Sequence, residues 1–179
     1  RLFKHMVRRW LFAQAGVRLD RDSIDCPNTK SLGNFSTMMV RRIAPGEQQL
    51  DLPPGYTLVP LREYGDAFAH GCGIAAEAGA GTLVWVRRYD LVEFAVVLGP
   101  DEPLQSARRA FFAGMNATAD AIAAHCPPER QVGFAWPDSI MFDGGLLGGA
   151  RLGWPEDCNE DEVPGWLVFG VILRAADMA

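Results

Sequence analysis

The 179 residues are 49% apolar, enough to bury a core, and contain no run approaching the roughly eighteen apolar residues that a membrane span needs. The net charge of −5 conceals a split: residues 1–50 carry nine basic side chains against four acidic, a net of +5, and the remainder stands at −10. So acidic a domain argues against nonspecific nucleic-acid binding, and the scattered Cys26, Cys72, Cys126 and Cys158, with isolated His5, His70 and His125, argue against zinc and for free thiols in a reducing, cytoplasmic compartment.

Leu2, Phe3, Met6, Val7, Trp10 and Leu11 fall at helical spacing between Arg1, Lys4, Arg8 and Arg9. That pattern suits a membrane-surface helix or an organellar presequence. The plainer alternative is a functionally silent leader, with Met38 or Met39 as the true start. Residues 1–50 are read as a basic, disordered leader, and 51–179 as the folded domain.

Asp51-Leu52-Pro53-Pro54-Gly55 reads as a linker into a first strand, Tyr56 to Leu61. A helix is predicted over Glu63 to Gly79, with Phe68, Cys72 and Ala75 or Ala76 facing inward. Thr82 to Val86 and Leu91 to Leu98 are rich in β-formers, and the four residues between them make the strands antiparallel neighbours. A long helix begins at Asp101-Glu102-Pro103, buries Leu104, Ala107, Phe111, Met115, Ala119 and Ile122, and ends at Cys126-Pro127-Pro128. A strand into Trp136, a hairpin, an acidic loop from Trp154 to Gly165 and a last strand, Trp166 to Arg174, complete the order β-α-β-β-α-β-β-β-β. Strands in consecutive runs predict an α+β fold with a mixed, mainly antiparallel sheet carrying helices. No GxGxxG unit and no P-loop is present.

The segment from Trp136 to Gly149 is the most informative. Asp143-Gly144-Gly145 is a hairpin turn of the kind that supplies positive φ, and the strand after it runs into Gly148-Gly149. Backbone without Cβ lets a ligand lie directly against main-chain amides. Alternatively, the glycines only serve a strand bend packed under a helix. This segment resembles the Trp-Pro-Asn-Asp … Gly-Lys-Lys … Gly-Gly core of the biotin protein ligase and lipoate protein ligase superfamily. The resemblance covers roughly Pro54 to Arg174.

It implies a biotin/lipoate ligase-like domain, truncated here at its C-terminus, that activates a small carboxylic acid with ATP and Mg²⁺. The acid would be biotin or lipoate/octanoate, and the acyl-adenylate would pass to a lysine on a carrier protein. No nucleic acid is expected as a partner, and no membrane for the folded domain. Such chemistry gathers anions, so fixed cations and aimed amides should dominate catalysis.

Several positions depart from the family pattern. The Gly-Arg-rich loop has no counterpart, and Arg87-Arg88 are the nearest cations. The family lysine is replaced by Leu146, or by Gly145 if the register slips, and no lysine follows Lys30 anywhere. The family's Asn-Asp becomes Asp138-Ser139, and Ile172 stands where an Asn often follows the last strand's glycine.

Arg151 is the best-placed cation for a carboxylate or phosphate, unless it pairs with Glu156 or Asp157 at a strand end. Arg151 and Asp138 are therefore the catalytic candidates, Asp138 as a ligand for Mg²⁺ or a ring nitrogen, with turn-capping as its plain alternative. Arg87, Arg88, Trp136, Gly148 and Gly149 are the binding candidates. Arg87 and Arg88 read equally as a solvated hairpin tip, and Trp136 as core or pocket wall. No protein metal site is expected.

Two rivals stand beside the ligase: a non-catalytic member that keeps the cleft for a ligand or carrier protein, and an octanoyl transferase using Cys158. The acidic loop around Cys158 should suppress its thiolate.

Overall fold

A computed structural model describes residue 50 and residues 52–88 and 90–175. The leader expected over residues 1–50 lies outside the described residues except for Leu50.

Seven strands form one sheet: β1 (Thr57–Leu61), β2 (Thr82–Val86), β3 (Leu91–Leu98), β4 (Val132–Ala135), β5 (Ser139–Phe142), β6 (Gly145–Gly153) and β7 (Leu167–Arg174). Their spatial order is β1-β2-β3-β7-β6-β5-β4. Only the β1–β2 pair is parallel, and it is joined by a helix, as a parallel crossover requires. The sheet is thus mixed and mainly antiparallel, as expected. β2 and β3 coincide with the predicted strands. β2 is buried at every position, which is why its sequence Thr-Leu-Val-Trp-Val runs apolar without alternation.

Helix α1 (Ala67–Ala78) packs on β2, β3 and β7. It begins four residues later than predicted, because Asp66 caps it by accepting from the Ala69 N–H at 2.8 Å. It buries Ala67, Gly71 and Ala75 over Val84, Val86, Ala95, Val97 and Val168. The opposite face of the sheet carries the larger core, where Trp85, Phe94 and Phe169 meet Met115, Ile122 and Ile140.

The single long helix predicted from Leu104 is divided into α2 (Leu104–Ala107) and α3 (Ala110–Ala123). The break falls at Arg108 and Arg109, where the backbone stays helical but tightens, Arg109 N–H donating to Ser106 O and Phe111 N–H to Arg108 O. Arg108 pairs with Glu160 and lies over the Trp154 ring at 4.8 Å, while Arg109 pairs with Glu102. The acidic loop is tied to the same place, since Leu104 N–H donates to Glu162 O at 2.8 Å and Gln105 N–H to Glu160 O at 3.0 Å. Leu104, Ala107, Met115, Ala119 and Ile122 are buried as the helical stripe predicted. Gly114 brings α3 close: a Cβ there would lie 2.5 Å from the Phe169 ring.

The hairpin between β5 and β6 is the predicted one. Asp143 (φ 50°) and Gly144 (φ 81°) form a two-residue loop with Phe142 opposite Gly145, and both positive φ values match the right-handed twist of the flanking strands. Arg130 pairs with the Asp143 carboxylate and steadies the tip.

Candidate functional site

A cleft of about 370 Å³ opens where α1 stops covering the sheet. Strand register explains its composition. Ala95, Gly170 and Arg151 stand opposite one another across β3, β7 and β6, and Glu93, Ile172 and Gly149 form the next row on the same face. Under α1 this face is aliphatic; past the helix N-terminus it becomes glycine and charge. Phe68 marks the boundary, because its ring occupies the space that a Cβ on Gly170 would need, at 2.7 Å.

Charge is segregated within the cleft. Glu93 is only 5% exposed, and its Oε1 accepts from the Ala67 N–H at 2.8 Å. With Asp66 on Ala69, two protein carboxylates take up N–H groups of the first turn of α1. A helix N-terminus ordinarily attracts anions, and here two protein carboxylates already occupy two of its N–H groups. The cations lie elsewhere, with Arg151 from β6 and Arg174 from the end of β7 lining the floor. Among the described residues Arg151 forms no ion pair, so the alternative of a pairing with Glu156 or Asp157 is not realised. Asp138 and Ser139 close the far rim, where the Ser139 hydroxyl donates to Asp138 Oδ1 at 3.2 Å.

The structure therefore brings together Asp138, Gly148, Gly149 and Arg151 of the residues singled out from sequence. The glycines line the cleft, yet the chain itself uses their missing side chains. A Cβ on Gly148 would collide with the Ile172 carbonyl oxygen, and one on Gly149 would stand 3.1 Å from Asp138 O. The β5–β6 pairing shifts register beside them: Met141 faces Leu146 and Ile140 faces Gly148, leaving Leu147 as an extra residue.

Arg87, Arg88 and Trp136 stand outside the cleft. Arg88 is held by Asp90 through two hydrogen bonds, of 3.0 and 2.7 Å. That contact raises the guanidinium above its ordinary value and holds the Asp90 carboxyl below its own. Arg87 is exposed on the connection between β2 and β3. Trp136 is 79% exposed beyond the end of edge strand β4, neither core nor cleft wall.

Cys158 is also remote from the cleft. Partial burial first, and then the carboxylates of Glu162, Asp157, Glu160 and Asp161, push its thiol up, as its acidic loop predicted. No cluster of three potential metal ligands exists among the described residues, and none of the helices among them is long and apolar enough to cross a membrane.

Sequence reading missed Asp66, Glu93 and Arg174. A signal for Glu93 was present: a lone carboxylate inside Leu-Val-Glu-Phe-Ala-Val-Val-Leu can be buried only if something pairs with it.

Residues 52–179 match the model of the Biotin/lipoate A/B protein ligase family. A solved biotin protein ligase-like protein of unknown function from Silicibacter sp. TM1040 superposes with a TM-score of 0.62 at 30% identity, covering 71% of this chain. The chain spans 56% of that protein's length. The Helicobacter pylori biotin acetyl coenzyme A carboxylase synthetase with bound biotinylated ATP gives a TM-score of 0.47 at 13% identity, over 68% of this chain and 62% of the other. Leishmania major biotin protein ligase in complex with biotinyl-5-AMP gives 0.38 at 16%, over 68% and 57%. None of the curated proteins matches the chain in sequence.

Proposed function

This chain belongs to the biotin/lipoate A/B protein ligase family, and from that premise we propose that its cleft seats a small carboxylic acid in a divergent biotin- or lipoate-type protein ligase. The observation that carries the reading is Arg151: an unpaired guanidinium on the cleft floor, beside backbone that lacks side chains. It grips the acid's carboxylate, with Arg174 as a second cation, and the acyl chain runs along Gly148, Gly149 and Ile172. Biotin, lipoate and octanoate all carry the required carboxylate on an apolar stem.

In the reaction, an oxygen of that carboxylate attacks the α-phosphorus of ATP and pyrophosphate leaves. A lysine amine on a carrier protein then attacks the acyl carbon, and AMP leaves. Mg²⁺ is commonly held by one or two carboxylates together with substrate phosphates, and Asp138 at the rim fits that need. The cation's chemistry is to offset phosphate charge. Arg151 holds the carboxylate in line, and a permanently charged donor fork suits that role. The setting is cytoplasmic, with neither nucleic acid nor membrane as partner.

A second reading, a non-catalytic member that binds a ligand or carrier without turnover, is favoured by charge. Arg151 and Arg174 face Asp66, Glu93 and Asp138 in the same cleft, Arg88 is engaged outside it, and Leu146 stands where the family pattern has lysine. A triphosphate added to a carboxylate finds little positive potential there.

Pyrophosphate exchange into ATP, with biotin, lipoate or octanoate supplied singly, separates the two when paired with calorimetry. Acid-dependent exchange establishes the ligase. Acid binding without exchange establishes the second reading, and absence of both defeats the ligase and acid binding alike.

A further inference from the structure

A second recess lies on the other face of the sheet, at the end away from the cleft. Leu98 and Leu167 stand opposite each other there across β3 and β7, and with Pro100, Ala107 and Ala110 they line a groove of about 560 Å³. The turn after β3 sets Asp101 and Glu102 on its rim, and the acidic loop is tied alongside through the Leu104 and Gln105 N–H groups. Arg109 engages Glu102 and Arg108 engages Glu160. Asp101 and Asp161 form no ion pair among the described residues, so the rim keeps an excess of negative charge. Such a groove fits an occupant that is apolar and cationic at once.

The chain supplies one just upstream of the described residues. Leu50 is buried in the core cluster of Leu83, Val96 and Phe169, and Leu98 packs against that same cluster. The chain before Leu50 therefore starts from the α3 face, where the groove opens. Register keeps the gap short. Thr57 pairs with Thr82 at the start of β2, and Leu83 with Val96 on β3, so the start of β1 and Leu98 are two strand spacings apart, about 10 Å.

Met38-Met39-Val40-Arg41-Arg42-Ile43 sets four apolar residues around two arginines, and Ile43 lies seven residues before Leu50. A tether of that length spans at most about 23 Å, enough to cross the gap and short enough to hold the segment at high effective concentration. The other apolar and basic stretch, Leu2 to Leu11, sits on a tether of 39 residues, from Leu11 to Leu50, and effective concentration falls steeply with length.

We infer that the segment from Met38 to Ile43 docks in this groove, its apolar side chains on Leu98, Pro100 and Leu167, and Arg41 and Arg42 against Asp101 and the acidic loop. The folded unit then reaches back to Met38. Composition drew the domain boundary at residue 50, and the opposite charges on its two sides are the complementarity that the docking uses. The inference is independent of what the cleft binds.

Hydrogen exchange on the full chain tests it without altering the groove. The amides of Gly99, Asp101 and Glu102 are expected to exchange roughly tenfold more slowly in the wild type than in an Arg41→Glu, Arg42→Glu double variant, the scale of two exposed ion pairs. Adding Asp101→Arg to that variant is expected to restore slow exchange, a rescue that a purely structural effect of the arginines would not give. Equal exchange in wild type and double variant overturns the inference, and so does failure of the swap to rescue. Identity of the occupant is read by placing p-benzoylphenylalanine at Ser106 and mapping the photo-crosslink. A link within one chain to Met38–Ile43 supports the docking. A link to Leu2–Leu11, a link to a second chain at doubled mass, or no link overturns it. Should the crosslinking variant fail to fold, the exchange comparison still decides.

Discussion

Strands β3 and β7 cross two regions of the same sheet face, and those regions differ in almost everything. Under α1 they present Ala95, Val97 and Val168, closed over by Ala67, Gly71 and Ala75. Two residues further along β3 the same face presents Glu93, and β7 presents Ile172 and then Arg174. The antiparallel pairing of β3 with β7 runs unbroken through both. What changes is the cover, and with it the penalty for charge. A helix overhead makes an unpaired carboxylate intolerable, whereas at the helix terminus the same group is useful, because the first-turn N–H groups satisfy half of it.

Moving the open region's chemistry under the helix should break this contrast most severely. Ala95→Glu buries a carboxylate where no N–H terminus is at hand, and is expected to destabilise the fold by about 3–5 kcal/mol in chemical denaturation. A change below 1 kcal/mol would show that α1 is only loosely seated.

A smaller loss is expected from Gly148→Ala, which forces β6 away from the Ile172 carbonyl, at about 1–3 kcal/mol. Wild-type stability there would mean that the close approach of β6 to β7 is not what shapes the cleft. Arg151→Ala sharpens the comparison from the other side. As an exposed residue it should leave the melting temperature nearly unchanged, yet lower affinity for a carboxylic acid by roughly tenfold in calorimetry.

Arg88→Ala should do least. It lies outside the cleft, so acid affinity should be unaffected. Because Arg88 depresses the Asp90 carboxyl, the pair's small contribution is present above the ordinary carboxylate range and lost as pH falls through the lowered value. Stability of variant and wild type should therefore differ slightly at neutral pH and converge in acid. A difference that persists in acid would assign Arg88 a packing role.

Much of the scaffold was legible in advance. Thr82–Val86 and Leu91–Leu98 are strands to the residue, since β-propensity, apolar content and flanking turns agreed there. The Asp143-Gly144 turn followed from conformational preference alone. The break at Arg108 and Arg109 was hidden because the loop docked beside it lies some fifty residues on, where Glu160 pairs with Arg108. Trp136 read as core or pocket wall, but β4 proved to be the sheet edge and Trp136 is exposed beyond its end. Arg87 and Arg88 read as the nearest cations along the chain, and nearness along the chain did not translate into nearness to the cleft.

What the amino-acid order settled by itself is what short-range physics governs: the type of most elements, the chemistry of the Asp143-Gly144 turn, and the absence of lysine after Lys30. What only the tertiary structure decided is which charges share that cleft. Glu93 comes to line the same cleft as Arg151 through two successive strand pairings, β3 with β7 and β7 with β6, and joins Asp66 through the docking of α1. Each is a long-range register, set by which hydrophobic faces pack together, and no local spacing encodes it.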